Sequence, residues 1–93
     1  MDTASLKRFP GGDLVAEGIA DIATGRETAA ALLVSIGAPR LERYGLAVGV
    51  PLGDPEHRLY ALLNREDPDA AHSRYNALVR RLVGFERAMG CGT

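Results

Sequence analysis

Apolar residues along this chain recur three and four positions apart, which is the period of an amphipathic α-helix. Glycine and proline residues separate these stretches and indicate where each helix begins and ends. Residues 13–24 form the first predicted helix, with Asp13 placed to cap its first turn and Gly25 to end it. Gly18 lies on the apolar stripe of this helix, which indicates a close approach by another helix.

Residues 27–36 form the second predicted helix, which we expect Gly37 to end. Pro39 suits the first turn of a short third helix over residues 39–44. Residues 46–53 are apolar but rich in turn residues, and no second stretch could pair with them as a strand. We therefore predict a loop on the buried side of the molecule at this position.

A strong helix start occurs twice in the second half of the chain, at residues 54–56 and at residues 67–69. Each combines a capping carboxylate, a proline at the first helical position and an acidic side chain that favours the positive end of the helix dipole. The fourth predicted helix ends near Glu66, and the fifth spans residues 68–89. Because only a few residues separate them, we expect these two helices to pack as an antiparallel hairpin.

The apolar residues of the fifth predicted helix cover an arc of about 160° around its axis. They are Tyr75, Leu78, Val79, Leu82, Val83, Phe85 and Met89. A single packing partner does not cover so wide an arc. Either the helix lies centrally under several others, or one edge of the arc meets another subunit. The predicted fold is an all-α bundle of four main helices and one short helix, with the long C-terminal helix as its spine.

The chain has 93 residues, which is enough for one domain and too short for two independent cores. We expect an N-terminal arm over residues 1–12, a helical domain over residues 13–90 and a frayed C-terminus over residues 91–93. So small a domain buries a modest core, and this favours a homo-oligomer or a protein partner.

The net charge of −1 gives no overall attraction to nucleic acid or to an anionic membrane. The charges are nevertheless unevenly distributed. Residues 46–69 carry five acidic and two basic side chains, whereas residues 70–93 carry four arginines and one glutamate. The first half of this region is therefore acidic and the second half is basic.

Few residues offer metal or redox chemistry. Cys91 is the only cysteine, so an intrachain disulfide is impossible, and a reducing cytoplasm is the expected location. His57 has Tyr60 and Ala61 three and four positions after it, and His72 has Pro68 four positions before it and Asn76 four positions after it. This spacing does not favour a metal site, so we predict no metal and no cofactor. The N-terminal residues have no apolar run long enough for a signal peptide or a membrane span.

Arg65 and His72 lie at the junction of the last two predicted helices, with six residues between them. This spacing resembles the R-x4–6-H motif of HEPN-type ribonucleases, which are also helical and dimeric. The resemblance implies that the arginine holds a phosphate and that the histidine helps to activate a ribose 2′-hydroxyl. The chain departs from that pattern at Glu66, where the family often has a polar asparagine, and it is short for that fold.

The polar side of the fifth predicted helix carries Arg74, Arg80, Arg81 and Arg87, in two pairs seven positions apart. Such a ridge could bind nucleic-acid phosphates, but pairing with acids of a neighbouring helix is favoured because the chain is not basic overall. Glu86 falls within the apolar arc. A carboxylate there either pairs with an arginine of another helix or subunit, or stays hydrated where the helix overhangs the bundle.

No arrangement of residues indicates a catalytic site with any specificity. The sequence favours an interaction or accessory module that acts through its helix faces and forms a homo-oligomer or binds a protein. The alternative is an RNA-processing or toxin–antitoxin component, in which Arg65, His72 and Tyr75 act together with the basic face.

Overall fold

The computed structural model describes residues 3–91, and within this range the chain is helical and contains no strand. The all-α prediction is therefore confirmed. None of the helices in this range is long and apolar enough to cross a lipid bilayer. The helices are α1 (Thr3–Leu6), α2 (Gly12–Ala23), α3 (Ala29–Arg43), α4 (Pro55–Glu66) and α5 (Ala71–Cys91).

Helix α3 lies at the centre of the bundle and packs against α2, α4 and α5. Nine of its 15 residues are buried, because small and apolar side chains occur on every side of it. The Thr28 hydroxyl caps its first turn by accepting a hydrogen bond from the backbone N–H of Ala31, at 3.1 Å. The prediction that the C-terminal helix is the spine is wrong, since α5 buries only one side.

Helix α3 continues through the glycine and the proline that were expected to end it, so the separate short helix over residues 39–44 is also wrong. Gly37 is buried, and a Cβ atom there would lie 3.1 Å from side-chain atoms of Leu82 and Glu86. The glycine therefore allows close approach of α5 instead of ending the helix. Pro39 lies inside the helix at an exposed position, where one backbone donor is lost without breaking the packing.

Helices α2 and α3 form the first hairpin, and the close approach predicted at Gly18 is confirmed. A Cβ atom at Gly18 would overlap the Ala30 carbonyl oxygen and the Val34 side chain. Asp13 does not cap α2, because the residue before the helix is Gly11 in a left-handed conformation with φ of 74°.

Residues 1–12, which were expected to form an arm, contribute to the core within their described part. Leu6 of α1 is fully buried. The Phe9 ring meets the Phe85 ring edge-on, with centroids 6.0 Å apart. At the other end, α5 extends to Cys91, so the rest of the expected frayed segment 91–93 lies outside the described residues.

Helices α4 and α5 pack against each other as the second hairpin. α5 is continuous, as expected, but begins at Ala71 and not at residue 68. The Asp67 carboxylate accepts a hydrogen bond from the backbone N–H of Asp69 at 3.2 Å, which forms a turn before the helix starts. Residues 46–53 form a loop, and the side chains of Leu46 and Val48 are buried.

Candidate interaction surface

Two tyrosines meet on the outer side of the α4–α5 hairpin. The Tyr60 and Tyr75 rings lie with centroids 5.8 Å apart, at an interplanar angle of 60°. Tyr60 is 40% exposed and Tyr75 is half-buried. Tyr60 falls among the apolar residues of α4, between Leu59 and Leu62. It lies about 100° around the axis from buried Leu59, which is enough to carry its ring out of the core.

An apolar edge of α5 continues from this aromatic pair. Val79 and Val83 follow Tyr75 at intervals of four residues, so the three side chains form one line along the helix. All three are only half-buried, whereas Leu82 and Phe85 on the inward side are fully buried. We call the surface formed by Glu56, Tyr60, Tyr75, Val79 and Val83 the tyrosine face.

Opposite charges lie on the two margins of the tyrosine face. On the α4 side, Glu56 is exposed and close enough to Tyr75 to affect its ionisation. On the far side of α5, Arg80 and Arg87 are exposed and form no ion pair with any residue from 3 to 91. The face therefore has an acidic margin, an apolar centre and a basic margin.

The pKa of Tyr75 is raised above its usual value of 10.0, chiefly because burial of the phenol disfavours its charged form. The negative charge of Glu56 adds to the shift in the same direction. Tyr75 is therefore a neutral hydrogen-bonding group at physiological pH.

The other two arginines of the predicted ridge are paired with acids. Arg74 lies 3.1 Å from the Glu66 carboxylate, and Arg81 lies 3.3 Å from that of Asp13. Arg74 and Arg81 therefore pair with acids of neighbouring helices, as one interpretation of the arginine ridge predicted. Arg80 and Arg87 do not pair with any acid in residues 3–91.

Glu86 is buried, so the alternative in which its carboxylate stays hydrated at an overhanging helix end is wrong. Its carboxylate accepts a hydrogen bond from the Arg40 side chain at 2.9 Å, as the alternative of a paired carboxylate required. Because α3 continues to residue 43, it supplies an arginine opposite the last turns of α5. The sequence could not identify this partner while α3 was expected to end at Gly37.

Arg65 and His72 do not interact with each other, and both are exposed. The His72 ring contacts the Asn76 amide at 3.3 Å. Arg65 is five residues after Tyr60, which places it about 140° around α4 from that tyrosine. This arrangement gives no support to a phosphate site built from these two residues.

A second exposed feature lies after the end of α3. An open hollow of about 380 Å³ is lined by Glu42 and by residues 45–49. Val50 follows the last of these residues and is 83% exposed, the most exposed large apolar side chain in the described part of the chain. The sequence marked this stretch as a buried-side loop, which holds for Leu46 and Val48 but misses Val50.

Among residues 3–91, no group of three or more histidine, cysteine, aspartate or glutamate side chains is arranged to hold a metal ion. Comparison with known proteins finds no matching family model, no matching curated protein and no matching solved structure.

Proposed function

We propose that this protein is a non-catalytic interaction module that self-associates through the tyrosine face. The observation that carries the proposal is the position of the tyrosine pair. The chain has only five aromatic residues, and the rings of two of them meet where Tyr60 is exposed and Tyr75 is half-buried against the core, next to a half-buried apolar edge. Aromatic side chains with one dry side and one wet side are typical centres of protein interfaces.

A second copy of the chain is the occupant that the charges favour. In a two-fold symmetric pair, the same surface is used by both copies, so it must be complementary to itself. The tyrosine face meets this condition, because a rotation about its centre brings Glu56 of each copy toward Arg80 and Arg87 of the other. The apolar line from Tyr75 to Val83 would then be covered along its length.

The pair would act as an accessory or scaffolding unit, since its interface engages helix faces and leaves the loops accessible. We place this role in the cytoplasm, because a single cysteine is typical of proteins in a reducing compartment. Rim charges such as these contribute more to specificity and association rate than to affinity, so most of the affinity would come from the tyrosines.

The first test replaces the central aromatic residue. We expect Tyr60→Asp to weaken association by about 2 kcal/mol or more, roughly 30-fold in Kd, because it places a charge at the centre of the covered surface. Light scattering coupled to size-exclusion chromatography across a concentration series measures the change in mass. Ala61→Asp is the matched control, since it adds the same charge at the next, exposed position of α4.

Charge reversal gives a second readout of the same interface. Arg80→Glu with Arg87→Glu is expected to weaken association, and adding Glu56→Arg is expected to recover part of the loss. A wild-type chain that is monomeric at millimolar concentration would refute the proposal. So would a Tyr60→Asp variant whose mass equals that of the wild type.

A further inference from the structure

Three of the six residues that line the hollow after α3 are glycine or alanine. Leu46 and Val48 are 4% and 2% exposed, so their side chains anchor the loop in the core. The residues between and around them are Gly45, Ala47 and Gly49, which leave space at the surface. Both glycines have positive φ, 91° and 88°, a conformation in which larger residues are strained. The shape of the hollow therefore depends on glycine at these two positions.

An exposed apolar side chain stands directly beside this space. Val50 follows Gly49, the last residue of the lining, and exposes 83% of its surface. Leaving a valine in water forgoes the stabilisation that its burial would provide. A projection and a hollow that adjoin on one molecule are the two halves of a self-complementary contact.

We propose that a second copy of this chain binds at the hollow, with Val50 of each copy seated in the hollow of the other. This contact is separate from the tyrosine face, which lies on the α4–α5 hairpin and shares no residue with it. The chain would thus have two isologous surfaces, and their combined use would produce an assembly larger than a dimer.

The charges around the hollow favour a second copy over an unrelated apolar segment. Glu42 lines the hollow, and Arg43 is its neighbour in sequence at the end of α3. Both are exposed, and neither forms an ion pair with another residue in the part of the chain that the structure describes. A two-fold axis beside the hollow brings Glu42 of each copy toward Arg43 of the other, which makes two ion pairs.

The experiment compares the masses of four chains by sedimentation equilibrium: wild type, Val50→Asp, Tyr60→Asp and the double variant. We expect a species larger than a dimer for the wild type, dimers for each single variant and a monomer for the double variant. Val50→Asp is expected to weaken the contact at the hollow by about tenfold or more. Ala47→Arg, at an exposed position, fills the hollow and is expected to reproduce the effect of Val50→Asp.

The outcomes separate this proposal from the proposed function. If Val50→Asp and Ala47→Arg keep the wild-type mass, the hollow is not an interface. If Tyr60→Asp is in addition monomeric while the wild type is not, the tyrosine face stands alone. If Val50→Asp alone is monomeric and Tyr60→Asp keeps the wild-type mass, the hollow stands and the tyrosine face does not. Far-ultraviolet circular dichroism of each variant checks that it remains helical.

Discussion

The ion pair between Arg40 and Glu86 joins α3 to the last turns of α5. Only 8% of the Glu86 side chain is exposed, whereas 54% of the Arg40 side chain is exposed. The carboxylate has therefore lost most of its hydration, and the arginine replaces part of it from the solvent side. Removing Arg40 should therefore lower the stability more than removing Glu86, because an unpaired buried carboxylate costs more free energy than an unpaired exposed guanidinium.

We expect Arg40→Met to lower the free energy of unfolding by about 1–2 kcal/mol at neutral pH. The substitution keeps the aliphatic part of the side chain but leaves the Glu86 carboxylate without its charged partner. Urea unfolding followed by circular dichroism gives the value. Arg65→Met removes the same charge at an exposed position and should change stability by less than about 0.5 kcal/mol. Equal losses in the two variants would show that the pair contributes nothing specific.

The raised pKa of Tyr75 predicts a loss of stability in alkaline solution. The folded chain holds the phenolic proton more tightly than the unfolded chain, whose tyrosine has a pKa near 10.0. The stabilisation is therefore complete below that pH and is lost as the pH rises through the pKa of the folded state. Tyr75→Phe should remove this part of the pH dependence of unfolding.

Ultraviolet absorbance of tyrosinate locates the transition, as the difference between wild type and Tyr75→Phe. Glu56→Gln should lower the pKa of Tyr75 only in part, because burial is the larger cause of the shift. A shift that disappears completely in Glu56→Gln would contradict the importance of burial. The measurement uses dilute protein, so that self-association does not add to the burial of Tyr75.

At the scale of the elements, the hairpin of α2 and α3 depends on a missing side chain. Gly18 allows the α3 backbone to approach so closely that a Cβ atom would overlap the Ala30 carbonyl oxygen. Backbone atoms cannot move aside as a flexible side chain can, so a substitution must push the two helices apart.

We expect Gly18→Ala to destabilise the fold by about 1–3 kcal/mol, although alanine is the better helix former. Gly84→Ala in α5 is the matched control. Apart from its chain neighbours and the backbone of its own helix, no heavy atom of residues 3–91 lies within 4 Å of a Cβ atom at this position. That substitution should stabilise the chain by about 0.5–1 kcal/mol. Thermal unfolding of both variants measures the contrast, and two changes of the same sign would contradict it.

The sequence predicted the elements better than it predicted their ends. Periodicity and the proline at position 55 located α4 within a residue, because local chemistry decides where that helix starts. Gly37 was expected to end α3, but glycine, which often ends helices, also permits close packing in their interior. Whether Gly37 ends its helix or packs against another helix depends on α5, which begins more than thirty residues later.

At the scale of the whole molecule, the two proposed surfaces were only partly predictable. The wide apolar arc of α5 left open a central position under several helices or an edge that meets another subunit, and the line from Tyr75 to Val83 on that arc is half-buried. Tyr60 and Val50 were missed, because their exposure depends on how the helices and the loop pack together. If both proposed surfaces are used, the assembly either closes as a tetramer or continues as an open chain, according to the angle between the two axes.

The long-range contacts also determine when this protein can fold during its synthesis. The Phe9 ring is covered by Phe85, and Asp13 pairs with an arginine 68 positions later. The hairpin of α2 and α3 can form as soon as it leaves the ribosome, because its contacts are local. The N-terminal segment must instead wait for almost the entire chain, which takes several seconds at roughly 5–20 residues per second. During that interval the Phe9 ring is available to chaperones.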